Sequence, residues 1–541
     1  MFSRRDLLKM GLYTGGAALA TSPRAQAQLC NPESFPTPKS PDLKPFAQPL
    51  PIMPIAQPVD RLSPVPVPGN HQRYGEFPAK FFYDMPVREV MHKFHPDLPL
   101  NSVWGYNGMI PGPTIHARYG EPVLMRIRNL LPPDHVGVGL PKLATHLHNG
   151  NTASESDGYP LDIVDAGTYR DHHYANAPAG GDPREIMNTL WYHDHCNDFT
   201  AQNVAKGLSA FYLLFDTLDS GDENDPNPAA FRLPSGPYDV PMVLHDRAFD
   251  NNGIQLYNVF NTLGVLGDKY TINNAIQPYF QVARRKYRFR ILNGGPSRFY
   301  QLALSNGQLF VQLTNDGNML PEPIAVKTVT LSVAERADVI VDFSNAKLGD
   351  QIYLVNLMEQ TNGAGPTGKT LNPPDQMVRF DVISNDTTDP SQIPGKLREL
   401  PPINMADVKN ERIWKFDYLN GNWLVNGNLF DNARSDAEVA EGSAEIWTFR
   451  NEGTQWSHPI HIHFEEYQVL SINGVKPRQG SVDLARKDTV FLGPNDEITI
   501  FMRFRGFFGR YVMHCHNVVH EDHTMMIRYD VVPANRGRRR P

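Results

Sequence analysis

Near its C-terminus the chain reads Tyr511-Val512-Met513-His514-Cys515-His516-Asn517-Val518-Val519-His520-Glu521-Asp522-His523-Thr524-Met525-Met526. The apolar approach to His514 predicts a β-strand, in which successive side chains point to opposite faces. His514 and His516 then share one face and Cys515 takes the other. One metal can bind the thiolate while others bind the two imidazoles, only a few covalent bonds away. Further on, Cys515, His520 and Met525 follow a Cys-x4-His-x4-Met spacing. A thiolate, an imidazole and a weak thioether, completed by one histidine from elsewhere, form the ligand set of a blue-copper electron-transfer site. A buried strand with a free cysteine and stray histidines accounts for any one of these residues, but not for their spacing.

Partners for this stretch lie upstream. His146-Leu147-His148, His193-Asp194-His195 and His461-Ile462-His463 repeat the i, i+2 spacing, and His458-Pro459 precedes the last pair. On a strand each pair presents two imidazoles to one side, about 6–7 Å apart at the backbone, which suits one metal or two adjacent ones. The adjacent pair His172-His173 points opposite ways and reads as structural or surface. Asp194 faces away from His193 and His195 and reads as an orienting residue.

Taken together, the motifs HLH, HDH, HPIHIH and HCHNVVHEDHTMM resemble those of the multicopper oxidase family, in its bacterial branch of spore-coat laccases and bilirubin oxidases, over nearly the whole mature chain. The resemblance implies three consecutive cupredoxin-like domains and four copper ions. A type 1 copper would be held by His458, Cys515, His520 and the axial Met525, and a type 2 copper by His146 and His461. A type 3 pair would take His148, His193, His195, His463, His514 and His516. The axial Met525 implies a moderate rather than a high potential. Asp157, in Ser156-Asp157-Gly158, and Glu521 match acidic positions of the family and are the candidate catalytic carboxylates. Their plainer readings are an ordinary turn aspartate and part of a solvated acidic turn.

A weak internal repeat sets the domain count independently. Val123–Asn129, Tyr287–Asn293 and Ile446–Asn451 are alternating strands that each end in an arginine and an asparagine, after a turn and a glycine or proline corner. Three copies predict an all-β fold of three Greek-key β-sandwich domains of about 150 residues each. The 47 prolines and 41 glycines suit many short strands. Acidic, proline-containing stretches place the boundaries, giving domains at 28–215, 216–384 and 385–541. A proline-rich arm over about 28–75 precedes the first strands. The copper motifs fall only in the first and third domains, so the trinuclear cluster is expected at their interface, with the middle domain spacing and shaping it.

The first 27 residues read as a twin-arginine signal peptide, with Arg4-Arg5 ahead of an apolar run and Ala25-Gln26-Ala27 as the cleavage site. The export machinery is thus an expected partner, and the mature protein is expected to be periplasmic or secreted. No other run is long enough to span a bilayer, and a net charge of −7 argues against nucleic acid. Of three cysteines, Cys515 belongs to the metal; Cys30 and Cys196 either pair in an oxidising compartment or stay unpaired. A chain carrying both sets of motifs can complete its cluster alone, so a monomer suffices. The expected activity is a laccase-like oxidation of phenols or aminophenols coupled to reduction of dioxygen to water. The alternatives are a cuprous-ion oxidase for copper tolerance or a bilirubin-oxidase-type activity. Scattered methionines, with no methionine-rich insert, favour the first.

Overall fold

The structure is a computed structural model that describes residues 37–384 and 388–534. The signal segment and Cys30 lie outside the described residues.

Three pairs of sheets follow one another along the chain, each pair closing on its own core. In the first, the strands Asn101–Tyr106, Phe81–His92, Val123–Asn129 and Tyr169–Tyr174 form one sheet in that order. Ile115–Arg118, Ser209–Phe215, Thr189–Asp194 and Thr145–His148 form the other. The middle unit pairs an eight-stranded sheet with a five-stranded one, and the third pairs six strands with five. Separate clusters of buried apolar side chains fill the three units, around Trp104 and Tyr192, Phe289 and Phe380, and Trp447 and Phe449. Burying such a side chain contributes roughly 1.5–3 kcal/mol. The all-β fold of three sandwiches expected from the repeats, cupredoxin-like as the resemblance implies, is therefore the one observed.

The repeat has a physical origin. Val123–Asn129, Lys286–Asn293 and Ala444–Asn451 occupy the same place in the three units, each running parallel to the strand that opens its domain sheet. Parallel neighbours need a crossover between sheets, which is the Greek-key connection. The terminal asparagines Asn129, Asn293 and Asn451 are all buried. In each, Nδ2 donates to two distant carbonyls, and Oδ1 accepts from the backbone N–H two residues on, at Leu131, Gly295 and Gly453. The same amide thus ties off the same turn three times, which is why the closing asparagine recurs.

The proline-rich segment is an arm, as expected, and it spans two units: Pro49 bridges to Tyr279, while Ile55 and Val59 bridge to Thr114 and Phe82. Among the described residues no helix is long and apolar enough to cross a membrane. Among the described residues helices are few and short. Thr200–Ala205 and Val518–Asp522 meet where the Asp522 carboxylate accepts from the N–H groups of Thr200 and Ala201, at 2.8 and 3.1 Å. That contact docks the third unit onto the first beside the histidine motifs.

Candidate metal centres

Two antiparallel strands of the third unit, His458–Ile462 and Gly509–Cys515, place Ile460 opposite Cys515 and His461 opposite His514. The alternation of the second strand then separates two sites. Cys515 points into the apolar core of its own sandwich, while His514 and His516 face the first unit.

On the inner side, Cys515 Sγ lies 3.4 Å from His458 Nδ1 and 3.6 Å from His520 Nδ1, and the two nitrogens are 3.3 Å apart. The centre of such a triangle is about 2 Å from each corner, the length of a metal–imidazole or metal–thiolate bond. All three residues are buried. Burial alone lowers His458 to about 3, and burial, with the charge of Glu521 adding to it, pushes the Cys515 thiol well above its ordinary value. The imidazole is therefore already in its neutral, ligating form, and metal binding must draw the thiol proton off. His520 stands on the short helix Val518–Asp522, whose N-cap Asn517 accepts from Val519 N–H. Met525 is buried in the same core, and its carbonyl accepts from the Cys515 N–H at 3.0 Å.

On the other side, eight imidazoles from two units interleave. His146 stacks on His463, and His148 on His461, each with ring centroids 3.7 Å apart. Three sets of donor atoms lie within 4.8 Å of one another: His146, His148 and His461; His148, His193 and His516; and His195, His463 and His514. Backbone carbonyls fix the tautomers. Nδ1–H of His146, His193 and His461 donates to the carbonyls of Asp157, Asp194 and Asp488 at 2.5, 2.9 and 2.9 Å. The Nε2 atoms of all three are then lone-pair donors, buried without a hydrogen-bond partner, and Nδ1 of His148 and both ring nitrogens of His516 are likewise buried without one. His463 Nδ1–H donates to Asp157 Oδ2 at 2.7 Å, and His514 Nδ1–H to its neighbour's carbonyl at 3.2 Å, leaving their two Nε2 lone pairs 3.3 Å apart. Lone pairs at that distance in a dry interior repel unless a cation stands between them. The donor set fits metal ions on this ground alone.

Electrostatics agree. Burial, reinforced by the neighbouring imidazoles, holds His148, His193, His461, His463 and His516 well below their ordinary pKa and lowers His195 to about 4. They are neutral ligands at any physiological pH. Glu521 is buried beside them, 3.3 Å from His195 Nδ1 and 3.0 Å from His514 Nδ1. Burial raises its pKa, while any positive charge on His195 or His514, together with the hydrogen bond from His514, lowers it, and the lowering prevails. The solvated-turn reading of Glu521 and Asp522 does not hold, since both are buried.

Asp157 is no surface turn either. It is fully buried, its carbonyl orients His146 and its carboxylate orients His463. Asp194 is structural, accepting from the N–H groups of Ala144 and Cys196 and from Asn203. His172 and His173 are buried and bonded to the carbonyls of Ser156 and Phe77, outside the cluster. Cys196 is buried; its possible partner Cys30 lies outside the described residues.

Sequence reasoning missed Asp488. Its carbonyl orients His461, its carboxylate lies 3.4 Å from His148 Nε2, and Arg336 of the middle unit holds that carboxylate with two bonds of 3.0 and 2.9 Å. The only trace of it in the chain is the charged run Arg486-Lys487-Asp488 entering the apolar strand Thr489–Leu492.

Residues 90–218 and 402–535, the stretches that carry every one of these ligands, match two multicopper oxidase family profiles. The chain is 33% identical over 514 residues to a bilirubin oxidase of Albifimbria verrucaria, covering 91% of this chain and 82% of that one. The chain belongs to the multicopper oxidase family. A laccase of Bacillus subtilis is 30% identical, with 87% of this chain and 98% of that one covered. Among solved structures, a laccase from Pediococcus acidilactici superposes with a TM-score of 0.74 at 25% identity, over 92% and 95% of the two chains. This multicopper oxidase is a laccase-like copper oxidoreductase, and its histidine clusters are suited to copper.

Proposed function

We propose that this multicopper oxidase takes single electrons from phenolic or aminophenolic molecules and passes them to dioxygen, four electrons and four protons reducing one dioxygen to two waters. In this reading the chain holds four copper ions. His458, Cys515, His520 and Met525 hold the type 1 ion, and His146 with His461 the type 2 ion. His148, His193 and His516 hold one type 3 ion, and His195, His463 and His514 the other. Bound copper supplies reversible one-electron chemistry, and four ions together match the four electrons that dioxygen consumes.

The observation that carries this reading is the split across one strand. Cys515 Sγ belongs to the inner triangle while its covalent neighbours His514 and His516 belong to the outer cluster. The backbone between them is the shortest connection from one site to the other. Around the outer cluster the protein's work is orientation and proton supply. Backbone carbonyls and Asp157 hold the ligand rings in one tautomer. Of the carboxylates Asp157, Asp488 and Glu521 buried at the cluster, Asp488 is neutralised by Arg336, which leaves Glu521 and Asp157 as the proposed stations for passing protons.

Two further features support the phenol-oxidase reading over cuprous-ion oxidation. The middle-unit residues that touch the inner site, Leu263 on His520 and Gly363 on Asn517, carry no thioether to take a soft cuprous ion. The Albifimbria relative, whose printed name is bilirubin oxidase, makes an open-chain tetrapyrrole a second organic substrate to try. We also infer export to the periplasm or the medium through the twin-arginine machinery, supported by the Arg4-Arg5 leader. A monomer with boundaries near 215 and 385 completes the reading.

Oxygen uptake by copper-loaded protein tests it. Fast uptake with a methoxyphenol, with no released peroxide, is the expected result, and bilirubin serves as the second organic donor. Uptake with cuprous ion alone would overturn the reading.

A further inference from the structure

We propose that electrons reach the inner copper site through the aromatic rings of Tyr418, Trp456 and Trp423, rather than through the ring edge of His520. The inference rests on reading His458, Cys515 and His520 as the type 1 ligands.

His520 is sealed from solvent. Its exposure is 0%. Nδ1 faces the thiolate, and Nε2–H donates to the Leu263 carbonyl at 3.1 Å. Leu263 lies on one of two loops from the middle unit that cross over the histidine at Gly264 and Gly363. A Cβ at Gly264 would sit 2.7 Å from Gly363 Cα, and one at Gly363 would sit 2.3 Å from the Leu263 carbonyl oxygen. Only glycines permit that crossing. The second loop is anchored where Ser457 N–H donates to the Ala364 carbonyl at 2.7 Å, one residue from the ligand His458. The imidazole edge is therefore covered by the Leu263 carbonyl and the two loops.

What His520 does touch is Trp423, stacked on it with ring centroids 3.6 Å apart and planes 23° from parallel. The indole N–H donates to the Thr262 carbonyl at 2.9 Å, which fixes the ring in place. Trp423 is itself buried, but Tyr418 lies 4.3 Å from it and Trp456 5.0 Å from it, and the latter two are 5.5 Å apart. Both are half-buried and reach the surface. Tyr418 and Trp423 are cross-strand partners on the hairpin of Val408–Leu419 and Asn422–Val425. Their contact therefore depends on a rigid element rather than on a loop. The result is an unbroken series of ring contacts from the surface to a ligand ring.

In the step assigned to it, a planar aromatic donor lies against Tyr418 and Trp456 and gives up one electron. If the donor is a phenol, its proton leaves to solvent. The electron crosses Trp423 and His520 to the inner site, where a cupric ion held by His458, Cys515 and His520 would take it up, and the protein rings end unchanged. Tyr418 and Trp456 touch the donor, while Trp423 acts through His520 as a positioning and coupling residue.

The test compares Trp423→Leu, Trp423→Phe and Tyr418→Leu with the wild-type protein, all copper-loaded. The rate of bleaching of the blue absorption by a methoxyphenol is followed by stopped flow without oxygen. Trp423→Leu is expected to slow bleaching by about tenfold or more, and Trp423→Phe to recover most of it. Absorption maximum and redox potential should stay unchanged in both, which a merely structural role would not ensure. A readout independent of turnover is methoxyphenol quenching of indole emission in copper-free protein, expected in the wild type and weakened in Tyr418→Leu. Wild-type bleaching rates in Trp423→Leu with an intact blue band would overturn the inference. So would equal loss of potential in the Leu and Phe variants, or an absence of quenching in the wild type. A wild-type protein that loads copper but never turns blue would instead overturn the type 1 assignment, before any variant is made, and the inference with it.

Discussion

Replacing Arg336 by methionine probes how the middle unit, which supplies no histidine pair, governs the cluster. The Arg336 guanidinium is fully buried and makes five hydrogen bonds to three units. It donates to both oxygens of Asp488 in the third unit, to the carbonyls of Ala334 and Asp316 in its own, and to the Thr189 carbonyl in the first, at 2.9–3.3 Å. Methionine fills similar volume but leaves the buried Asp488 carboxylate unpaired, which costs about 3–5 kcal/mol. Each stranded carbonyl adds on the order of 1 kcal/mol where no water replaces the donor. Because the Asp488 carbonyl orients His461, the copper on His146 and His461 should be lost first. Urea unfolding of copper-free protein measures the first effect, and the type 2 paramagnetic signal with metal stoichiometry the second. The double variant Arg336→Met with Asp488→Asn removes both charges and is expected to recover about half of the loss, since a missing pair costs less than a broken one. A change below about 1 kcal/mol with full type 2 occupancy would refute the reasoning, because a buried charge must then have found a partner elsewhere.

Cys515→Ser exchanges the thiolate for a poor copper ligand, so the protein should lose its blue absorption, one copper per chain and phenol oxidation while the outer cluster still loads. Absorption spectra and metal analysis check this. Glu521→Gln removes the carboxylate lying 3.3 and 3.0 Å from His195 and His514. Reoxidation by dioxygen should slow by about 10²-fold or more with blue-site reduction unchanged, as separate single-turnover measurements of the two half-reactions would show. Glu185, Glu465 and Glu466 share the guanidinium groups of Arg486 and Arg505 at 2.6–2.8 Å, so three carboxylates meet two cations in a buried seam between the first and third units. Burial, opposed by Arg486 but reinforced by Glu185, pushes Glu466 from 4.5 up to about 8. The folded protein then keeps a proton that the unfolded chain releases, and this contribution to stability is full below about pH 4.5 and lost as pH rises through about 8. Urea midpoints of copper-free protein should fall across that window in the wild type and much less in Glu466→Gln; equal slopes would refute the assignment.

The ligands were legible because metal binding needs particular atoms at particular spacings, and the spacing of a strand is a local property. His514, Cys515 and His516 divide between two sites by strand alternation alone, and the Cys-x4-His-x4-Met run describes one strand end and one helical turn. The three-unit fold was legible for a related reason: the same buried asparagine closes the same turn at Asn129, Asn293 and Asn451, leaving a repeat in the chain. Local spacing carried less about the acids. Asp157 and Glu521 could be singled out only by likeness to the family, because burial is what distinguishes a working carboxylate from a turn residue.

Other features belonged to the tertiary structure alone. Leu263 seals His520 from 257 residues away, and Arg336 pairs with Asp488 across 152. Trp423 stacks on His520 although its own strand carries no metal-binding motif. None of these contacts has a period or a spacing, since each joins segments far apart in the chain: the first two join different units, and the third joins a strand and a short helix of one unit. The sequence by itself determined which atoms can hold copper and that they divide between an inner and an outer site. Only the tertiary packing decided which acids are dry and which side of the inner site a reductant can reach, because those depend on desolvation and distance between segments the chain does not place side by side.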